Sequence, residues 1–524
     1  MSDRATLPDL RTVTANEAAV AARPFLVSAA VETPAPASRG WRLADFGVLG
    51  VWIAVVGFTL SYHEKWMDEA QAWLFARDLS LHDLWFHELR YEGSPGLWHT
   101  ILWVAQRVFH AGYGVIGPIG AACALAGVAL LILEAPFPRY IRWPLAFTYF
   151  LVYQYAVIAR QYTLLPVLAF AAAYKFKDRD HPEYMTLVLV LLANTSFHGT
   201  LMAACFGLAY LVEVIPAWRE LSPRLRTRYA ICIGVMALTF VCVYLVIKPA
   251  PDSGELAKKQ GLFALPGWRN GQGLEITPAI KFGSAISGAF LDYTLPSGIF
   301  LAALFIWSAM RRRFLALAMP VAAQVLLYSF VYGSPHHQGS LFVAAIAGLW
   351  IAWPTSRERA TMLTLGHRSL WAVTALLVCL CAVNVWDSAV VIRREYLYPY
   401  SGSRDAADYL KSVGADRTVI FGYNFGVSGV QAYFDHNILA NIPTAYTHNS
   451  ADNPVFHFDR DEFERVRPDY VLADTRNPQV MLSLDVPLMT SLGYEIVHFS
   501  DGYYLYKRSV YEREAYFIFR RVRP

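Results

Sequence analysis

Two adjacent carboxylates, Asp68 and Glu69, stand a few residues beyond the first long apolar run, in SYHEKWMDEAQAWLFARDLSLHDLWFHELRYEGSPGLWHTILW (61–103). Carboxylates are costly near hydrocarbon, so a pair placed there is expected to do chemistry. Two roles suit it: general base, or ligand for a hard cation that holds a phosphate. Asp68 is the first candidate for a base and Glu69 the second, the plain alternative for Glu69 being an exposed partner of Lys65 or an arginine. Arg90, Tyr91 and Glu92, with Tyr162 further on, are candidate substrate contacts. Arg160 is the strongest candidate for a phosphate, because a guanidinium meets phosphate oxygens in bidentate fashion. His198 in NTSFHG and His336 with His337 in GSPHHQG break apolar runs with polar residues. A helix start flanked by His and Gly is a natural anion site. Lys248 opens a basic, Gly- and Pro-containing loop, 248–283, with Lys258, Lys259 and Arg269, which reads equally as a lid or as a loop drawn to anionic headgroups.

The elements that must position these residues lie in a membrane. Of 524 residues, 56% are hydrophobic and only 16% charged, well below the quarter expected of a soluble chain. A net charge of +4, unevenly spread, does not argue for nucleic acid. The six cysteines all sit in apolar runs, which suits small buried hydrophobes better than disulfides or a metal site. Residues 1–40 read as a disordered cytoplasmic leader, and 41–390 as a membrane domain of about eleven transmembrane helices. The apolar runs run from near 43–61 to near 370–388 and include 142–158, 162–176, 284–310 and 339–353. Segment 94–112 carries His99, Gln106, Arg107 and His110, and reads as an amphipathic helix lying against the membrane within a juxtamembrane stretch, 62–112. With that segment not crossing, the Arg- and Lys-rich loops all fall on the cytoplasmic side. The candidate site residues then converge at helix ends on the opposite face. Residues 391–524 have the composition of a soluble domain on that face. Helices are expected at 403–413 (Ser403 as N-cap) and 425–434, and strands at 418–423, 469–474, 494–499 and 503–508, giving a small α/β layer.

With these residues laid out, the chain resembles the GT-C glycosyltransferases that use polyprenyl-phosphate-linked sugars, in the branch of bacterial aminoarabinose transferases, protein mannosyltransferases and RgtA/B/C/D-like proteins. The carriers of the resemblance are Asp68-Glu69 after the first helix, Arg90 to Pro95, Ala159-Arg160-Gln161-Tyr162, and the soluble C-terminal domain. The chain departs from the pattern at Gly93-Ser94-Pro95, where many members have His-Pro-Pro, so no role for that His carries over. The resemblance implies inverting transfer of a sugar from a polyprenyl phosphate to a lipid or glycan acceptor at the periplasmic face of a bacterial inner membrane. Asp68 takes the family's base position. No cofactor is assigned, and a divalent cation at Asp68 and Glu69 is the one the residues leave open. The competing class is a multi-pass transporter or flippase of a lipid-linked or anionic substrate, which midplane charges, broken helices and an inverted repeat would favour.

Overall fold

In the computed structural model, residues 39–253, 277–331, 333–450, 453 and 458–522 are described. Residues 1–38 of the expected leader and the loop residues Lys258, Lys259 and Arg269 lie outside the described residues, while Arg39 and Gly40 already belong to the first helix. Five described helices are long and apolar enough to cross a membrane. Among them are α1 (Arg39–Tyr62), which leads into the carboxylate pair, α4 (Ile116–Glu134), α7 (Pro223–Ile247) and α9 (Thr364–Leu397). A sixth span is formed by Pro278–Ala289 and Thr294–Met310 if that pair, bent by 76°, is one unit. The break falls in the expected run 284–310, where Asp292 takes a left-handed φ of 63°. Helix α7 turns Ile231, Val235, Leu238, Val241 and Leu245 outward, an apolar surface suited to lipid.

Three apolar runs are built differently from simple spans. The run at 142–158 is a short helix (Arg139–Ala146) with Pro144 inside it, followed by one π turn (Phe150–Gln154) and irregular, fully buried chain. Its polar groups are met internally: Tyr149 donates to Gln154 Oε1 at 2.7 Å, and Thr148 to the Leu145 carbonyl at 2.7 Å. The run at 162–176 contains α5 (Leu164–Lys175), only 12 residues long. That at 339–353 is α8 (Gln338–Ala352), buried at every residue. An apolar run without a period reads the same whether its surroundings are lipid or protein, so the sequence does not show which runs are enclosed by protein. Helix α8 packs tightly on helix Phe314–Phe330: a Cβ on Gly348 would come within 2.7 Å of the Leu317 Cα.

Segment 94–112 forms α3 (Leu97–Arg107), 11 residues long. At 1.5 Å per residue that is about 16 Å, half the hydrocarbon thickness. It buries Trp98, His99 and Leu102 on one side and leaves Val104 and Val108 outward. The buried side packs on α2 (Met67–Asp78), the helix that starts with the carboxylate pair.

The C-terminal domain is a mixed four-stranded sheet, order β1-β2-β6-β3, with β1 (Ile420–Tyr423), β2 (Tyr470–Thr475), β3 (Tyr494–Ser500) and β6 (Ala515–Arg521). β1 and β2 are parallel, while β6 runs antiparallel to both β2 and β3. The α/β reading holds, yet β6 was not expected, although its AYFIF core is a plain apolar run beside β2. The N-cap of helix Ser403–Ser412 is Gly402, and Ser403 instead donates to the Lys65 carbonyl at 2.8 Å. A hairpin of β4 (Tyr503–Tyr506) and β5 (Ser509–Arg513) fastens the domain onto the helices. Tyr504 stacks on Trp66 at 4.7 Å between ring centroids. At the hairpin turn, Lys507 reaches Asp292 at 2.5 Å and Asp387 of α9 at 3.4 Å, and Arg508 reaches Asp387 at 2.9 Å. A fully buried acid, Asp387, and a partly buried one, Asp292, are thus answered by two bases from the other domain, so the docking is specific in register.

Candidate active site

The adjacent carboxylates separate as soon as the chain turns into α2. Both lie in the first turn, where exposed N–H groups and the helix dipole favour negative charge. Glu69 faces inward and is fully buried: it accepts from the Ala159 N–H at 2.8 Å and the Trp66 N–H at 3.3 Å, and meets His63 Nε2 at 3.0 Å. His63 Nδ1 meets Glu395 of α9 at 2.8 Å, and Glu395 in turn accepts from Tyr153. Burial opposes the charge on His63, but the two carboxylates outweigh it and raise its pKa to about 9. Burial likewise opposes ionisation of Glu69, and the His63 charge wins, so its pKa is lowered. Glu69 is therefore not the exposed partner of Lys65 that one reading of the sequence allowed. It ties α2, the 150–163 segment and α9 together beneath the site.

Asp68, one residue earlier, faces a cavity of about 830 Å³ that both domains line. Its Oδ2 pairs with Arg160 Nη2 at 2.8 Å. The extended backbone of Arg160, just before the 3₁₀ turn Gln161–Thr163, aims the guanidinium inward. There it lies over the Trp66 ring at 5.4 Å and the Tyr162 ring at 5.3 Å. A candidate base and a candidate phosphate binder thus form one ion pair.

Three histidines gather next to Tyr162. His198 enters from the start of α6 (Phe197–Val214), whose Ser196 cap accepts from the Gly199 N–H at 3.1 Å. His336 and His337 form the 3₁₀ turn that opens α8. The rings of His198 and His337 are 4.7 Å apart, those of His336 and His337 4.1 Å, and those of Tyr162 and His337 5.3 Å. Tyr504 reaches His336 Nδ1 at 3.2 Å, and the Ser334 N–H donates to His337 Nδ1 at 3.2 Å. Neither ring nitrogen of His198 has a hydrogen-bond partner among the described residues, although the side chain is buried. Unpaired buried polar atoms beside Arg160 suit a polar ligand.

Tyr91, Glu92 and Lys248 also line the cavity; Glu69 and Arg90 do not. One part of the lining is apolar: Phe197, Tyr244 and Ile247 of α7, Leu327 and Val331. Another comes from the C-terminal domain and was missed in the sequence: Asn424, Asp474, Thr475, Arg476, Tyr511 and Glu512. The signal available was a strand ending in Asp-Thr-Arg, polar residues where an apolar strand meets its loop. Among the described residues, the group of three with ligand atoms close enough for a metal is exposed His82, Asp83 and His87; Asp68 and Glu69 are not part of it.

Neither a family model nor a curated protein matches this sequence. Two solved structures share its fold. ArnT from Cupriavidus metallidurans bound to undecaprenyl phosphate aligns with a TM-score of 0.55 at 14% identity, over 92% of this chain and 98% of that one. The same protein in the apo state aligns at 0.50 and 14%, over 91% and 98%. The fold is therefore shared with ArnT along nearly the whole chain.

Proposed function

We propose that this protein is a membrane glycosyltransferase that moves a sugar from a polyprenyl phosphate to a hydroxyl of a lipid or glycan acceptor, with inversion at the anomeric carbon. The observation that carries this reading is the Asp68–Arg160 pair facing a cavity that is histidine-rich on one part of its lining and apolar on another. A sugar phosphate on a prenyl tail needs both surfaces. The fold supports the assignment, since ArnT with this architecture was crystallised with undecaprenyl phosphate.

In the step we assign, Asp68 takes the proton of the acceptor hydroxyl as its oxygen bonds to the anomeric carbon. The bond from that carbon to the phosphate oxygen breaks, and the electron pair leaves on the polyprenyl phosphate. Arg160, His198, His336, His337 and Lys248 receive that charge. Phe197, Tyr244, Ile247, Leu327 and Val331 take the first isoprene units. Tyr91, Glu92 and Tyr162 complete the substrate contacts. In this reading the site opens on the periplasmic face, with the N-terminus cytoplasmic, an orientation that the distribution of basic loops supports.

The reading is tested by sugar transfer in proteoliposomes from radiolabelled polyprenyl-phosphate sugars. Label must move to a lipid or glycan; flux of an intact carrier across the bilayer without transfer would support a transporter instead. Arg160→Lys is expected to weaken polyprenyl phosphate binding about tenfold or more, because an ammonium loses both the bidentate contact and the stacking on Trp66 and Tyr162. Titration of the purified variant with polyprenyl phosphate checks this.

A further inference from the structure

Asp474, at the end of β2, is a buried carboxyl that the transfer step above does not use. Its Oδ2 accepts from the Gly426 N–H at 3.1 Å, while Oδ1 has no hydrogen-bond partner among the described residues. Leaving a buried acceptor unfilled is costly, so the position is built for a ligand that donates. The chain makes specific room for it. A Cβ on Gly426 would fall 2.3 Å from the Asp474 Cγ, so only glycine lets the carboxyl sit there. Asn424, in the left-handed region at φ 72°, braces the same strand end by donating to the Asp474 carbonyl at 2.6 Å. Beside it, Arg476 is paired with Glu512 at 3.0 Å, and both line the cavity along with Asp474. Burial pushes the Asp474 carboxyl up to about 6, with Arg476 pulling against it.

A buried carboxyl, an Arg–Glu pair, Asn side chains and the rings of Phe425 and Tyr511 are the mixture that a polyhydroxylated ring requires. Hydroxyl groups donate to the acid and accept from the guanidinium and amides, while ring C–H faces rest on aromatic carbon. Resting on the function proposed above, we propose that Asp474 is the specificity-determining residue for the transferred sugar, binding hydroxyls of the sugar carried on the polyprenyl phosphate. The phosphate is held by a separate set of residues, Arg160 and the histidines.

The test compares binding of bare undecaprenyl phosphate with a panel of undecaprenyl-phosphate pentoses, hexoses and amino sugars, using the full chain in nanodiscs. The wild type is expected to bind at least one sugar-bearing carrier about tenfold or more tightly than the bare one, the usual range for a hydrogen bond to a charged group. Asp474→Asn keeps the size and the bond from Gly426, and is expected to lose that preference while binding the bare carrier as wild type does. Gly426→Ala, which displaces the carboxyl without removing it, is expected to do the same. A preference that survives Asp474→Asn, or no preference for any sugar-bearing carrier in the wild type, overturns the assignment to Asp474 alone. Failure of the wild type to bind the bare carrier instead overturns the phosphate reading on which it rests.

Discussion

Asp68→Asn is expected to lower the rate of sugar transfer by about 10²–10⁴-fold with polyprenyl phosphate affinity preserved, the range general base catalysis spans. Asparagine has the shape of aspartate, and the side chain that accepts from the Trp66 N–H at the start of α2 is Glu69, so the helix should start where it does now. It has no carboxylate to take the acceptor's proton. The ion pair with Arg160 is lost as well, but the guanidinium keeps its place between the Trp66 and Tyr162 rings. Freed from Asp68, Arg160 should hold a phosphate at least as well as before. The pairing also suggests an order of events: an incoming phosphate competes with Asp68 for the guanidinium, and the released carboxylate becomes available as a base. Single-turnover transfer and equilibrium binding, measured on the same preparation, separate the two effects. A full rate in Asp68→Asn would move the base elsewhere, with Glu92 the next cavity carboxylate to test. Loss of binding together with rate would make Asp68 a positioning residue for Arg160.

His63→Gln is expected to destabilise the protein by about 3–5 kcal/mol, the cost of removing the charged partner from buried ions. His63 is the cation between Glu69 and Glu395, and all three side chains are almost completely buried. Without it, two carboxylates face each other inside the junction of α1, α2 and α9. The native interaction also sets a pH dependence of definite sign. With the folded pKa of His63 raised to about 9, its contribution is fully present below the ordinary histidine value of 6.5 and is lost as pH rises through about 9. Glu69, with its pKa lowered, works in the other direction: its contribution is present above the usual carboxylate range and is lost as pH falls through the lowered value. Thermal unfolding in detergent across pH 6–10 should therefore show a decline toward alkaline pH in the wild type that His63→Gln largely removes. A decline of the same size in the variant would place the alkaline sensitivity in another group.

Asp68, Arg160, Tyr162, His198, Lys248, His336 and His337 were legible in the sequence and share one cavity. Each is polar at the edge of an apolar run, and membrane burial leaves few reasons for that other than function. The amphipathic character of α3 was legible too, because its polar residues recur on a helical period. The difference between Asp68 and Glu69 was not. Successive residues on a helix point about 100° apart, so the direction of each is set by what packs around α2. Here that is His63 from the preceding turn and the Ala159 N–H from a segment ninety residues away.

Composition and the pattern of apolar runs determined by themselves that this is a chain of many apolar helices followed by a C-terminal α/β domain, since hydrocarbon and water impose their demands locally, run by run. Tertiary structure alone decided three things. It decided which apolar runs are enclosed by protein, because a helix walled in by others, as α8 is, and one facing lipid have the same composition. It decided which acid of a pair faces the substrate. And it decided that Asp474 and Arg476, some four hundred residues after Asp68, close the same cavity, because the β4–β5 hairpin fixes the sheet onto the helix ends through contacts with Asp292 and Asp387. These depend on contacts between residues far apart in the chain, which no local pattern encodes.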